Sequence, residues 1–158
     1  MQRYPKLMES EMSNPVALIT GGATGIGKAV ALKLVARGIT VVMSGRRQSV
    51  GDAAVAEVSV VAKNGALVRF VRNDVSVEAA VKTMIEDIVA EFGRLDMAVN
   101  NAAVSNETGT LATSSSQNFR EMVDINILGV YYTMKHEILQ MLKQGNGAIV
   151  NLASIAGL

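Results

Sequence analysis

The sequence predicts an α/β fold, a doubly wound parallel sheet with helices on both faces, and three observations predict it. From Pro15 onward short apolar runs alternate with stretches of helical periodicity, which implies right-handed crossovers between parallel strands. A glycine-rich turn, Thr20-Gly21-Gly22-Ala23-Thr24-Gly25-Ile26-Gly27, joins the first apolar run to the first helical one. Residues with chemical character also fall just past the apolar runs, at Gly21, Arg46, Asp74, Asn100 and Ser154. Ligands of doubly wound sheets sit in that place, beyond the carboxyl ends of the strands.

Taken in order, residues 16–19 read as a short buried strand. The helix over 25–37 places Ile26, Val30 and Leu34 on one face, leaves Lys28, Lys33 and Arg37 in solvent and stops at Gly38. A second strand over 39–43 leads to a helix over 48–63 that Asn64-Gly65 terminates, and a third strand covers 66–71. Val77, Val81, Ile85, Ile88 and Phe92 recur at helical spacing with charges between them, before a strand over 95–99. A long helix over 117–142 is expected to bury Phe119, Val123, Ile127, Val130, Met134 and Ile138. Gly145-Asn146-Gly147 then turns the chain into a fifth strand over 148–152. No repeat or low-complexity linker interrupts this, so one domain is expected over 15–158 after a flexible extension over 1–14. Within that extension Met8 and Met12 are alternative starts to Met1, and Met12 is favoured.

Composition narrows the function classes. The 158 residues, 49% hydrophobic and 18% charged, suffice for one domain with a real core. A net charge of +1 and 4% aromatic residues disfavour nucleic-acid binding. The absence of cysteine excludes disulfides, thiolate metal sites and a cysteine nucleophile, in keeping with a reducing cytosol. No apolar stretch approaches the ~18 residues of a membrane span, and residues 1–14 are too polar for a signal peptide. The expectation is a soluble, cytoplasmic protein.

The turn carries the first chemistry. Its glycines, Gly21, Gly25 and Gly27, are spaced G-x-x-x-G-x-G and allow close backbone approach, while the helix that opens at Thr24, Gly25 and Ile26 offers free N–H groups to a pyrophosphate. This is a Rossmann-like arrangement, although a glycine turn alone is also an ordinary turn. After the second strand, where NAD sites place an acidic residue on the ribose 2′-hydroxyl, this chain has Ser44-Gly45-Arg46-Arg47. Arginine pairs well with a 2′-phosphate, so NADP is favoured over NAD, against the simpler reading of two solvated loop arginines.

These residues, with Asn73-Asp74-Val75, Asn100-Asn101-Ala102-Ala103, Asp124-Ile125-Asn126-Ile127-Leu128-Gly129 and Ile149-Val150-Asn151-Leu152-Ala153-Ser154, resemble the short-chain dehydrogenase/reductase family over 15–158. The resemblance implies that Asp74 binds the adenine amino group with the Val75 amide assisting, and that Asn100 and Ala102 border the cofactor. Read alone, Asp74 is a turn residue. Ala103 departs from the glycine that the family often has. By the same resemblance Asn126 is the tetrad asparagine that holds a water in a proton relay, and Ser154 is the serine that orients the substrate carbonyl or alcohol. Asparagine within a helix also suggests a kink there.

The family's remaining tetrad members, a tyrosine and a lysine in Tyr-x-x-x-Lys, follow the serine strand. Tyr131 and Lys135 have that spacing but precede Ser154 on the helix of Asn126, where such a pair is an ordinary helix face. Hydride delivery to a ketone creates an alkoxide that must be protonated, and a tyrosine of ordinary pKa about 10 can do so when an adjacent lysine and the oxidised nicotinamide lower it. Loss of a general acid costs ~10²–10⁴-fold, so these 158 residues alone are expected to be nearly inert. The sheet, truncated after its fifth strand, should expose Ala148-Ile149-Val150 as an apolar edge. The expected activity of the family is NAD(P)-dependent hydride transfer on an alcohol/ketone pair by a homo-oligomer. A non-catalytic nucleotide-binding module or half of a split enzyme is the main rival, and a methyltransferase-like fold a weaker one. His136 reads as a solvated surface residue, and Met122, Met134 and Met141 as packing.

Overall fold

The computed structural model describes residues 14–105 and 109–154; nearly all of the expected N-terminal extension lies outside the described residues. Five strands, β1 (Val16–Thr20), β2 (Thr40–Gly45), β3 (Val68–Arg72), β4 (Met97–Asn100) and β5 (Ala148–Asn151), form one parallel sheet in the order β3-β2-β1-β4-β5. Between them lie α1 (Gly25–Val35), α2 (Gln48–Ser59), α3 (Glu78–Phe92), α4 (Ser116–Val123), a π-helical turn (Asp124–Leu128) and α5 (Gly129–Gln144).

The central strand is buried along its whole length, as a parallel strand covered on both faces must be. Successive side chains alternate between two cores. Val16, Leu18 and Val42 join Val81, Ile85, Ile88 and Met141 on the side of α3 and α5. Ile19, Val41 and Met43 join Ala31, Val35, Ala54 and Val58 on the side of α1 and α2. Each fully buried Leu, Ile or Val contributes ~1.5–3 kcal/mol. At the amino ends, the Asp96 carboxylate accepts from the Val16 amide at 2.8 Å and from Arg94 at 2.6 and 2.7 Å, tying β1 to β4. At the other ends the register sets Thr20 opposite Ser44 and Asn100, and Asn100 opposite Asn151, so a row of polar residues crosses the carboxyl edge.

All the expected strands and helices form, but several faces differ. Ile26 is 64% exposed, and α1 instead buries Gly27, Ala31 and Val35. The tight seat of Gly27 against the turn decides which side of α1 faces inward. The second helix ends at Ser59 rather than near 63, because the Val61 and Ala62 amides turn to the Val58 and Ser59 carbonyls in tight i→i−3 bonds. The long helix is unbroken but changes register at the π turn: Phe119, Ile127 and Ile138 are exposed at 57%, 60% and 41%, while Ile125, Gly129, Thr133, Glu137 and Met141 are buried. The π turn rotates the inward face, and that face carries Thr133 and Glu137, which a search for apolar periodicity passes over. His136 is not fully solvated either; its side chain keeps 12% exposure and its Nε2 lies 3.3 Å from Glu78 Oε1. β5 forms an edge of the described sheet, with Val150 56% exposed. Among the described residues no helix is long and apolar enough to cross a membrane, and no cluster of acidic or histidine side chains could hold a metal.

Candidate functional site

A cleft of about 560 Å³ opens beyond the carboxyl ends of β1, β2, β3 and β4. Gly21, Thr24, Gly25 and Ile26 form one wall, Arg46 and Arg47 the second, Asp74 and Val75 the third, and Ala102 the fourth. Nine of the sequence-predicted residues therefore share one cavity. Gly27 and Asn100 stand behind it, and Asn126 and Ser154 are not among its lining residues.

The turn is locked by the end of β4. Thr20 Oγ1 accepts from the Asn101 and Ala102 amides at 3.0 and 3.1 Å, and Asn101 Nδ2 donates to the carbonyls of Thr20 and Gly21 at 3.0 and 3.1 Å. A Cβ on Gly27 would meet the Gly21 carbonyl at 2.6 Å, so only glycine fits under this clamp. Gly25 has a φ of 52°, and a Cβ there would meet nothing within 4 Å, because it faces the open cradle. Thr24 caps α1 without a side-chain hydrogen bond and the first turn holds no acid, so the positive end of the helix is open to an anion.

Two buried polar atoms on the cleft wall, Ser44 Oγ and Asn73 Oδ1, have no hydrogen-bond partner. Buried groups are almost always satisfied, so these two oxygens mark a polar imbalance in the cleft wall. In the sequence both stand within the motifs of Arg46 and Asp74, where neither has an assigned role of its own. Asp74 Oδ1 accepts from the Ser76 amide and hydroxyl at 3.0 and 2.7 Å, an Asx turn that starts α3. Its turn role is thus realised on one oxygen. At the rim, Arg46 Nη1 lies 3.1 Å from Glu121 Oε1 of α4, a partly exposed ion pair that an anionic ligand would have to compete with.

The helical half is organised differently. Within the π turn, the Asn126 amide pairs with both backbone groups of Val104, donating to the carbonyl at 2.8 Å and accepting from the amide at 2.9 Å. Val104 lines the cleft, so this pair couples the helix to the loop after β4. Ser154 lies three residues past β5 and is exposed. Lys135 is bound to Glu78 at 2.7 Å, which holds its ammonium above its usual range and the Glu78 carboxylate below its own. Tyr131 is 58% exposed and packs edge-on to Tyr132 at 5.7 Å, so Tyr131 and Lys135 form no tyrosine–lysine pair in the cleft.

Fold and cleft together define a Rossmann-like α/β domain with an open cleft beyond its strand ends. Comparison with known proteins makes the assignment specific. The chain belongs to the short chain dehydrogenase family, whose model matches residues 15–158. It is 39% identical over 153 residues to the cyclohexanol dehydrogenase of Acinetobacter sp. (strain SE19), covering 97% of this chain and 60% of that protein. Among solved structures it is similar to NAD+-bound xylitol dehydrogenase, with a TM-score of 0.86, 31% identity, and 93% and 56% of the two chains covered. It is also similar to ElxO with NADP bound, with a TM-score of 0.83, 37% identity, and 91% and 57% covered. The chain spans a little over half the length of the curated relatives it matches.

Proposed function

We propose that the protein is an NADP(H)-dependent oxidoreductase that moves a hydride between its cofactor and an alcohol/ketone pair, with residues 15–158 as its cofactor-binding part. The observation that carries this is the cleft itself: an open helix end, the empty space over Gly25 and two rim arginines converge there. When bound, the nicotinamide supplies the hydride. The α1 N-terminus, with Gly21, Thr24, Gly25 and Ile26, holds the pyrophosphate; Arg46 and Arg47 take the 2′-phosphate; Asp74, Val75 and Ala102 border the adenosine. The xylitol dehydrogenase has NAD+ bound and ElxO has NADP bound, so the preference rests on Arg46 and Arg47 and on the lack of an acid at the end of β2.

For the chemical step Ser154 orients the carbonyl and Asn126 holds the relay in place. The tyrosine and lysine that would complete a tetrad are not supplied by Tyr131 and Lys135, so a polypeptide of these 158 residues binds dinucleotide without turnover. The substrate class, a small alcohol or ketone, follows the name of the cyclohexanol dehydrogenase. A cytoplasmic homo-oligomer without nucleic-acid or membrane partners completes the reading. The test is oxidation of NADPH by the whole protein with cyclic and open-chain ketones. Turnover that falls ~10²-fold or more in S154A fits the proposal. Tight NADPH binding with no turnover of any carbonyl would instead establish a nucleotide-binding module.

A further inference from the structure

We propose that Glu137 is a positioning residue of this site, held as the neutral acid so that one proton joins its Oε1 to Asn100 Oδ1 and ties α5 to the carboxyl ends of β4 and β5. Glu137 has no exposed surface and Asn100 keeps 3%. Asn100 Nδ2 donates to Glu137 Oε2 at 3.0 Å and to Asn151 Oδ1 at 2.9 Å, and Asn151 Nδ2 reaches Met134 Sδ at 3.2 Å. One network therefore joins the helix of Asn126, the strand that leads into the Asn101 clamp and the strand that leads to Ser154.

The network is one proton short. Glu137 Oε1 and Asn100 Oδ1 are both buried acceptors without a partner, on two side chains already joined through their other atoms. A carboxylate would leave two buried oxygens facing no donor, at a cost of ~1–3 kcal/mol or more each. A carboxylic acid provides one donor, enough to satisfy both. Among the described residues no charge compensates an ionised form: β4 and β5 carry none, Glu78 on α3 is engaged by Lys135 and His136, Lys82 by Glu86, and Asp96 by Arg94. In accord with this, burial pushes the Glu137 carboxyl up to about 7, with the Asn100 bond only partly opposing it.

The positioning role rests on the dinucleotide reading of the cleft; the proton does not, which lets the two fail separately. Gln mimics the neutral acid, with an acceptor for Asn100 Nδ2 and a donor for Asn100 Oδ1, whereas Leu removes both. The experiment compares the wild-type protein with E137Q and E137L, following melting temperature and NADPH affinity from about pH 5 to about pH 9. Wild type and E137Q should melt together near pH 5 and separate toward pH 8, with E137Q the more stable. Wild-type NADPH affinity should fall roughly 5-fold or more around pH 7 while E137Q stays level and E137L binds weakly throughout. Parallel melting curves for wild type and E137Q would overturn the neutral acid. Divergent melting with coincident affinity profiles would overturn the positioning role. Divergent melting with no NADPH binding by any of the three proteins would overturn the dinucleotide reading and positioning together, and leave the proton standing.

Discussion

The two halves of the site are built on different principles. From β1 to β3 the cleft is shaped mainly by where the backbone runs: a turn with no room for a Cβ on Gly27, an open helix end and an Asx turn. Around α4 and α5 it is made by side chains that bond backbone or one another inside a helix of altered register, Asn126 on Val104 and Glu137 on Asn100. A backbone site needs particular residues at particular spacings. A side-chain site needs only the right partner opposite, and sequence spacing does not show what lies opposite.

The largest expected effect comes from attacking the first half at its tightest point. G27A forces a methyl into the Gly21 carbonyl at 2.6 Å, so the turn must open; overpacking of this kind costs ~1–3 kcal/mol, and titration should find NADPH binding lost. G25A, which meets nothing, should lower the melting temperature by the strain of its positive φ, ~1–2 kcal/mol, and leave neighbouring contacts intact. A G27A variant that bound NADPH as tightly as the wild type would contradict the backbone account of this half.

Two carboxyls at opposite ends of β4 sharpen the comparison through their pH dependence. Burial raises Asp96, but the hydrogen bonds from Arg94 and the Val16 amide and the Arg94 charge outweigh it and hold the carboxyl below its ordinary 3.8. It is therefore stabilising above that value, and its contribution disappears as pH falls through the lower folded value. D96N should cost about 2 kcal/mol in denaturant melts at neutral pH and little in strong acid. Glu137 is raised, so its contribution is complete below its ordinary 4.5 and lost as pH rises toward about 7. Stability that rose steadily from pH 4.5 to pH 7 in E137Q and wild type alike would erase this contrast.

Smaller effects probe the rim and the π turn. N126A leaves both backbone groups of Val104 without their partner, and at this exposed position urea melts should show a loss of about 1 kcal/mol. N126D keeps only the acceptor and should fall between. The smallest change is at Glu121: freeing Arg46 from a surface ion pair worth ~0.2–1 kcal/mol should raise NADPH affinity of E121Q a fewfold and leave NADH affinity alone.

The contrast also explains what could be read in advance. The five strands, their order of appearance and nine residues of the cleft were legible because glycines, strand-end arginines and Asp74 occur at fixed steps along an alternating pattern. The inward face of α5 was not, since the π turn shifts it and two of its buried residues, Thr133 and Glu137, are polar. Ser44 and Asn73 were missed because an orphaned oxygen is a property of surroundings. Asn100, expected at the cofactor site, is not among the residues lining the cleft; it joins Glu137 to Asn151 while its neighbour Asn101 makes the contacts with the turn.

The central claim, that this cleft takes a phosphorylated dinucleotide, is tested most directly by titrating the wild-type protein and an R46A/R47A variant with NADPH and NADH. The expected result is NADPH bound ~10- to 100-fold more tightly by the wild type, a preference that the double variant loses while its NADH affinity is kept. Equal affinities in the wild type, or binding of neither dinucleotide, would contradict it.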